Sequence, residues 1–151
     1  MEISTRIRRG ERGFTLVELM VVVLIIGILI AVALPTLAGA RERAADRASQ
    51  SDLRSALAGS VAYYAGSGTY TNFEVQAPAF EPGLHWVDGT APNVGDIDIE
   101  LASNSQLLLI GKSRTNWYFC ISQVSGSPMT DRGKSMDYNT IKNIANCTGG
   151  W

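Results

Sequence analysis

Residues 13–35 decide the fold of this chain, and they read GFTLVELMVVVLIIGILIAVALP. The 21 residues from Phe14 to Leu34 contain a single charged side chain, that of Glu18. As an α-helix, such a segment is about 31 Å long, which is close to the hydrocarbon thickness of a bilayer. The sequence therefore predicts a transmembrane helix over residues 14–34.

The segment before this helix is basic. Residues 1–13 carry four arginines against two glutamates. Because positively charged flanks stay in the cytoplasm, the predicted orientation exports everything after Leu34. A cleavable secretory signal is the alternative, since residues 31–33 (AVA) form a small-residue cleavage pattern. Against it, the apolar run is longer than the usual signal core of about 7 to 15 residues.

Glu18 is unusual in such a segment, because a carboxylate near the centre of a bilayer costs about 2.5 to 3.5 kcal/mol on insertion scales. Ionisable side chains inside spanning helices are therefore rare and tend to have a function. The position of Glu18 near the start of the run leaves a second interpretation open, in which it is a boundary acid that reaches the membrane interface.

Residues 13–35 closely resemble the processing and anchor segment of bacterial type IV prepilins, and a looser resemblance continues to about Tyr70. In that family a membrane-embedded peptidase cuts after the glycine and methylates the new amino-terminal phenylalanine, and the mature chain enters a helical filament. The resemblance implies cleavage between Gly13 and Phe14, N-methylation of Phe14, and a role for Glu18 in assembly.

The resemblance also implies partners and a location. The partners are other copies of the chain, the prepilin peptidase, and a pilus assembly ATPase with its inner-membrane platform, with membrane lipid around the subunit before assembly. The expected location is the inner (cytoplasmic) membrane for the single-pass precursor and the extracellular pilus on the cell surface for the assembled subunit.

The chemistry of the segment supports the assembly role of Glu18 independently. Cleavage would create a positive amino group four residues before Glu18, and in a staggered bundle this group can meet the carboxylate of a neighbouring subunit. An unpaired carboxylate in a dry filament core is costly, so the subunits should favour the register that pairs it.

The outer half of the helix is predicted over residues 35–65. Pro35 removes one intrahelical hydrogen bond, which predicts a kink there, and the glycines at residues 66 and 68 predict the end of the helix. Apolar residues recur at helical spacing and predict a stripe that covers a sheet; they are Leu53, Leu57, Val61 and Tyr64.

Residues 66–151 predict a β-rich globular head. Strict alternation over residues 96–101 predicts an amphipathic strand, and residues 107–110 and 116–121 predict an antiparallel hairpin. A further short strand is predicted at residues 136–138, whereas residues 71–91 are predicted to be mostly loop. The predicted fold class is α+β, with a long N-terminal helix packed on a small antiparallel sheet, as in type IV pilins.

The two cysteines, Cys120 and Cys147, both lie on the exported side of the predicted membrane helix. Oxidation is favoured in exported proteins, so we predict a disulfide that closes a C-terminal loop of 28 residues. On the chain-entropy description such a loop contributes about 3 to 4 kcal/mol. Two buried free thiols are the alternative. The arrangement also resembles the C-terminal disulfide loop of many type IV pilins.

The sequence offers little for catalysis, so no catalytic residue, cofactor or metal is predicted. His85 is the only histidine, and Gly111–Ser113 lacks the earlier glycine that a P-loop requires. Asp96, Asp98 and Glu100 share one strand face. Without a glycine-bearing ligand loop they predict a solvated acidic face rather than a calcium site.

Charge is distributed unevenly in the head. Residues 66–100 contain six acids and no Lys or Arg, whereas residues 101–151 contain five basic residues and two acids. A solvated surface accounts for this pattern. The alternatives are complementary contacts between subunits, and a contact with DNA or another surface polyanion.

The predicted function is that of a structural subunit of a type IV pilus, which is processed by prepilin peptidase and polymerised into a surface fibre for adhesion, twitching motility or DNA uptake. It is not predicted to be an enzyme. A pseudopilin of a type II secretion system is the nearest alternative, because it shares the same front end. The alternative from another class is an exported enzyme or binding domain with an ordinary signal or anchor.

Overall fold

The computed structural model describes residues 13–127 and 129–151, so most of the predicted leader, residues 1–12, lies outside the described residues. The chain forms two compact units, one that ends at Gly39 and one over Ala40–Trp151. The first helix, α1 (Leu16–Ser67), contributes to both. It has 52 residues and begins and ends two residues later than predicted.

The first unit contains the membrane-length part of α1. The most apolar window of 18 residues has a mean hydropathy of 3.1, and none of it is buried. Among the described residues, α1 is the one helix that is long and apolar enough to cross a membrane. The helix continues through Pro35, and the kink expected there stays a prediction.

The second unit contains a five-stranded sheet whose spatial order follows the chain, β1-β2-β3-β4-β5. Strands β2 to β5 form the predicted antiparallel sheet as a meander, and β1 adds to it by pairing parallel to β2. The elements after α1 are α2 (Phe73–Phe80), β1 (His85–Asp88), β2 (Asp96–Ala102), β3 (Gln106–Lys112), β4 (Tyr118–Val124), β5 (Thr130–Ser135), α3 (Tyr138–Ile141) and a 3-10 turn (Ile144–Asn146).

One face of the sheet packs on α1, as the apolar stripe predicted. Leu53 and Ala56 are fully buried there, and each buried leucine-sized side chain contributes about 1.5 to 3 kcal/mol. A Cβ atom at Gly111 would lie 3.1 Å from Ser49 Oγ, so glycine permits the close approach of helix and sheet. The strand residues in this inner core are Ile97, Ile99, Leu107, Leu109, Phe119 and Ile121.

The opposite face of the sheet is covered by the C-terminal segment. Leu108, Ile110 and Cys120 are buried together with Ile141 and Cys147 from that segment. Because both faces are covered, β3 is buried at five consecutive positions rather than at alternate ones. The sequence analysis predicted the layer formed by α1 but not this outer core.

The prediction of mostly loop over residues 71–91 was wrong, because this stretch contains α2 and β1. Pro78 lies inside α2, where a proline is usually unfavourable. Phe73 and Ala77, one helical turn apart, are both fully buried. Packing against the core therefore outweighs the local signal from proline and glycine.

The strand predicted at residues 136–138 was also wrong. Asp137 caps α3 instead, because its carboxylate accepts a hydrogen bond of 3.0 Å from the backbone N–H of Asn139. The alternation over residues 96–101 fails at its end. The pairing register shifts between Ile99 and Leu101, and this β-bulge turns Leu101 towards the outer core.

The predicted disulfide between Cys120 and Cys147 is confirmed, with a Cα–Cα distance of 5.8 Å. It joins β4 to the segment after the 3-10 turn and lies inside the outer core. Gly133 on β5 pairs with Cys120, and a Cβ atom there would lie 2.8 Å from the backbone nitrogen of Thr148. The disulfide loop can therefore close against β5 only if residue 133 has no side chain.

We expect Gly133→Ala to displace the backbone at Thr148, because the added methyl group has no room. Overpacking of this kind costs about 1 to 3 kcal/mol, so the melting temperature should fall and proteolysis of the disulfide loop should accelerate. Gly83→Ala is the matched control, since nothing lies within 4 Å of its Cβ position. Equal melting temperatures for the two variants would contradict this account of the loop.

Candidate functional site

The start of α1 is organised by a reciprocal pair of hydrogen bonds between Thr15 and Glu18. The backbone N–H and the hydroxyl of Thr15 each donate to Oε2 of Glu18 at 2.8 Å. The backbone N–H of Glu18 donates to the hydroxyl oxygen of Thr15 at 3.2 Å. This arrangement is a capping box, which satisfies two of the N–H groups that a helix leaves unpaired at its start.

The capping box gives Glu18 a structural role within one subunit. A carboxylate in the first turn also lies at the favourable end of the helix dipole. Within the described part of the chain, both bonds to its side chain end on Oε2, and Oε1 accepts none. The second oxygen therefore remains available to a donor from another molecule.

The predicted cleavage bond lies directly in front of this cap. Gly13, Phe14 and Thr15 precede the first helical residue, Leu16. The side chain of Phe14 is 82% exposed, and nothing lies within 4 Å of a Cβ atom placed on Gly13. The structure therefore brings Gly13, Phe14 and Glu18 together within the first turn and its preceding residues.

A polar link in the head joins α1 to the turn after β3. The hydroxyl of Ser113 donates to Oδ1 of Asp46 at 2.6 Å, and the hydroxyl of Thr115 donates to the same oxygen. Ser113 is almost fully buried. The residues that superficially match a P-loop, Gly111–Ser113, thus end a strand and anchor its turn to the helix.

His85 pairs with Asp96 at the surface of the head. Its Nδ1 lies 2.8 Å from Oδ1 of Asp96, and its side chain is 75% exposed. Burial raises the pKa of Asp96, but the hydrogen bonds from Asn93 and His85 outweigh it and leave that pKa below its usual value. No group of three or more metal-ligating side chains occurs among residues 13–127 and 129–151.

The prediction of a solvated acidic face on β2 was wrong for Asp98, which is fully buried. The hydroxyl of Tyr138 lies 2.9 Å from Oδ2 of Asp98 and 2.5 Å from Oε2 of Glu100. The alternating pattern identified the shared face correctly. It could not show that the C-terminal segment folds back over that face.

The two edges of the sheet differ in charge: β5 carries Arg132 and Lys134 beside one acid, Asp131, and Arg54 of α1 lies next to them. On β5, the Arg132 guanidinium lies 5.2 Å from the ring centroid of Trp151, and Lys134 Nζ lies 5.2 Å from that of Trp117. The guanidinium of Arg54 lies 4.8 Å from the Trp151 ring. We call these three cations the basic edge.

The acidic edge consists of Glu74 on α2, Glu81 at the C-terminal end of α2, and Asp88 on β1. Within the described residues, the one ion pair is that of His85 with Asp96. Neither edge is therefore neutralised by ion pairs inside its own head.

The sequence analysis missed two functional partners, Thr15 and Tyr138. Thr15 carried a usable signal, because a threonine three residues before a glutamate at the start of an apolar helix is the capping-box pattern. Tyr138 carried none, since its contact with Asp98 joins residues 40 positions apart.

Comparisons with known proteins agree with this geometry. A family model described as the prokaryotic N-terminal methylation motif matches residues 8–34. The type IV wide pilus major component PilA4 of Thermus thermophilus is 33% identical over 118 residues, which cover 78% of this chain and 86% of that protein. No solved structure matches the chain significantly.

Proposed function

This chain belongs to the type IV pilin family and is a subunit of a type IV pilus, and from that premise we propose that a Glu18 carboxylate pairs with the Phe14 amino group of a neighbouring subunit in the filament. The proposal rests on the carboxylate of Glu18, of which only one oxygen accepts hydrogen bonds within the described residues. One oxygen of Glu18 is held by Thr15, and the other is open to a cation.

The pairing solves an electrostatic problem for both groups. A charge in a medium of low dielectric is costly unless an opposite charge meets it, and breaking such a buried pair costs about 3 to 5 kcal/mol. Processing after Gly13 supplies the missing cation, since it converts the backbone nitrogen of Phe14 into an ammonium group. Polymerisation would then favour the axial register in which each ammonium meets a carboxylate.

The proposal includes a maturation pathway. The precursor is anchored in the membrane by the first half of α1, and its basic leader stays in the cytoplasm. A prepilin peptidase removes residues 1–13 and methylates Phe14. An assembly ATPase and its inner-membrane platform then extract the subunit into the fibre. The role is structural rather than enzymatic, and the fibre serves adhesion, twitching motility or DNA uptake.

A pseudopilin of a secretion system is the competing assignment within the same class. The relative at 33% identity is itself named as a major component of a type IV wide pilus. This favours a pilus, built from many copies, over the short secretion pseudopilus.

Gly13→Leu should block processing, because a peptidase site at the membrane face has to admit the residue before the scissile bond. Glycine has no side chain there, whereas leucine has a bulky one. We expect the protein to accumulate with its leader attached, as measured by mass spectrometry of the membrane fraction. Recovery of Gly13→Leu protein that begins at Phe14 would show that the cleavage site is assigned wrongly.

The two roles of Glu18 can be separated by three substitutions. Glu18→Ala removes the charge and the two hydrogen bonds that the carboxylate accepts, whereas Glu18→Gln keeps an acceptor for the capping box and removes only the charge. Thr15→Ala is the matched control, because it removes the two hydrogen bonds of the hydroxyl and keeps the charge. We expect normal processing of all three, loss of filaments for both Glu18 variants, and filaments for Thr15→Ala, as counted by electron microscopy of sheared fibres.

A purely structural role for Glu18 predicts different results for the same variants. If Glu18 served only as a helix cap, Glu18→Gln would assemble normally and Thr15→Ala would be defective by about 0.5 to 2 kcal/mol of helix stability. Abundant filaments built solely from Glu18→Gln subunits would therefore refute the pairing.

We propose a second contact, in which the basic edge of one head meets the acidic edge of its neighbour. The two edges lie on opposite sides of the same sheet, at β5 and β1. A head-to-tail contact between two different surfaces generates open helical polymers, which is the geometry a fibre requires. Asp98 does not belong to this contact, because its side chain is buried.

Lys134→Glu should weaken the fibre, because it places like charges at this contact, and adding Asp88→Lys should restore it. Lys142→Glu, a change at an exposed lysine directly after α3, is the control. Fibre dissociation with increasing salt, measured by sedimentation, should shift to lower salt for Lys134→Glu alone. If this variant instead loses retention on immobilised DNA while its fibres are unchanged, the basic edge binds a polyanion and the contact between heads is excluded.

A further inference from the structure

Asp98, Glu100 and Tyr138 form a cluster of titratable groups in which Asp98 is fully buried and the other two are half-buried, and the contacts proposed above do not involve it. Asp98 and Glu100 belong to β2, and Tyr138 is the first residue of α3. The tyrosine oxygen lies 2.9 Å from Oδ2 of Asp98 and 2.5 Å from Oε2 of Glu100. The other oxygen of Asp98 accepts a hydrogen bond of 3.3 Å from the backbone N–H of Thr90.

The number of protons in this cluster follows from its geometry. A phenol has one proton, so Tyr138 can donate to one carboxylate only. The second carboxyl oxygen at hydrogen-bonding distance must then either carry a proton that it donates to the tyrosine oxygen, or repel that oxygen. Two carboxylate ions around one phenol also repel each other, so the arrangement is satisfied by one additional proton.

The surrounding charges do not replace that proton. On the same side of β1 and β2, Asp96 is already bonded to His85. Lys112 of β3 lies 5.2 Å from the Tyr118 ring of β4, and Lys142, at the end of α3, lies 6.0 Å from the Tyr138 ring. Among residues 13–127 and 129–151, neither lysine forms an ion pair with Asp98 or Glu100.

The pKa values agree with this proton count. Burial raises the pKa of Asp98 to about 7, the Tyr138 and Thr90 hydrogen bonds oppose that rise, and the nearby Glu100 charge adds to it. Burial and the two carboxylates also raise the pKa of Tyr138 above its usual value, so the phenol stays neutral.

We propose that Asp98 and Glu100 share a proton through Tyr138, and that this proton latches the C-terminal segment, Asp137–Cys147, onto the outer face of the sheet. Tyr138 is the polar end of this attachment, while Ile141 and the disulfide form its apolar part. Loss of the proton places a second negative charge under α3. The segment then loosens between β5 and Cys147, where the disulfide holds it.

The latch makes the stability of the head depend on pH. An unfolded aspartate loses its proton near pH 3.9, whereas Asp98 in the folded head keeps it up to about pH 7. The folded state therefore binds more protons between these values, so stability falls as pH rises through that window and becomes level above it. The inference is independent of the Glu18 pairing, because it concerns the head alone.

The test compares the full-length mature chain with its Asp98→Asn variant, both in detergent micelles with the disulfide intact. Asparagine stays neutral and can donate to the tyrosine oxygen, so it imitates protonated Asp98. We expect the melting temperature of the wild-type chain to fall by several degrees between pH 4.5 and pH 7.5 relative to Asp98→Asn. Asp88→Asn, an exposed acid on β1, is the control and should follow the wild-type profile.

Parallel pH profiles for the wild-type chain and Asp98→Asn would overturn the latch. A second measurement does not depend on any variant. The carboxyl carbon of Asp98, followed by NMR in the wild-type chain, should titrate near neutral pH, and a midpoint below pH 5 would overturn the shared proton directly.

Discussion

A carboxylate inside an apolar helix needs a donor in every environment that the helix enters, and Glu18 imposes this requirement on the whole chain. In the single subunit, Thr15 supplies an N–H and an O–H to one oxygen. This local solution uses no other molecule, so it holds in the membrane before assembly. It satisfies half of the carboxylate, and the other half is what a neighbouring subunit can bind. In our proposal, anchoring and polymerisation are thus linked through one side chain.

The head faces a different constraint, which is how to bury a small sheet completely. The outer part of α1 covers one face, and it can approach closely because Gly111 has no side chain. The other face is covered by a polar segment with few large apolar residues, of which Ile141 is fully buried. Such a segment gains little from burial alone. The disulfide and the hydrogen bonds of Tyr138 therefore contribute much of what holds it in place.

The sequence was most informative where the physical signal is local. The apolar run, the helix stripe around Leu53 and the hairpin of β3 and β4 each depend on residues close together in the chain, and the structure contains all three. Paired cysteines on the exported side of the membrane were enough to predict the disulfide.

The failures share one cause, which is that distant residues decided the outcome. Pro78 lies in a helix because Phe73 and Ala77 find places in the core. Strand β5 reads TDRGKS, with no apolar residue, and is a strand because β4 pairs with it. Asp98 is buried because Tyr138 arrives from 40 residues away. The contact of Glu18 with Thr15 carries a local sequence signal, because the two residues lie three positions apart, whereas the Asp98 cluster depends on the tertiary fold.

Three acids of this chain solve the same desolvation problem in different ways. Asp46 accepts hydrogen bonds from the hydroxyls of Ser113 and Thr115, which are neutral donors within the same chain. Glu18 is matched half by Thr15 and, in our proposal, half by another subunit. Among the described residues, Asp98 forms no ion pair and accepts hydrogen bonds from Thr90 and Tyr138, and in our proposal it avoids a buried charge by keeping its proton. A hydroxyl partner in the same chain is always present. A partner from a neighbouring subunit is present only after assembly, and a bound proton is present only at low enough pH. On these two proposals, the chain responds to its own polymerisation and to the surrounding acidity through separate residues, so a change in one response need not disturb the other.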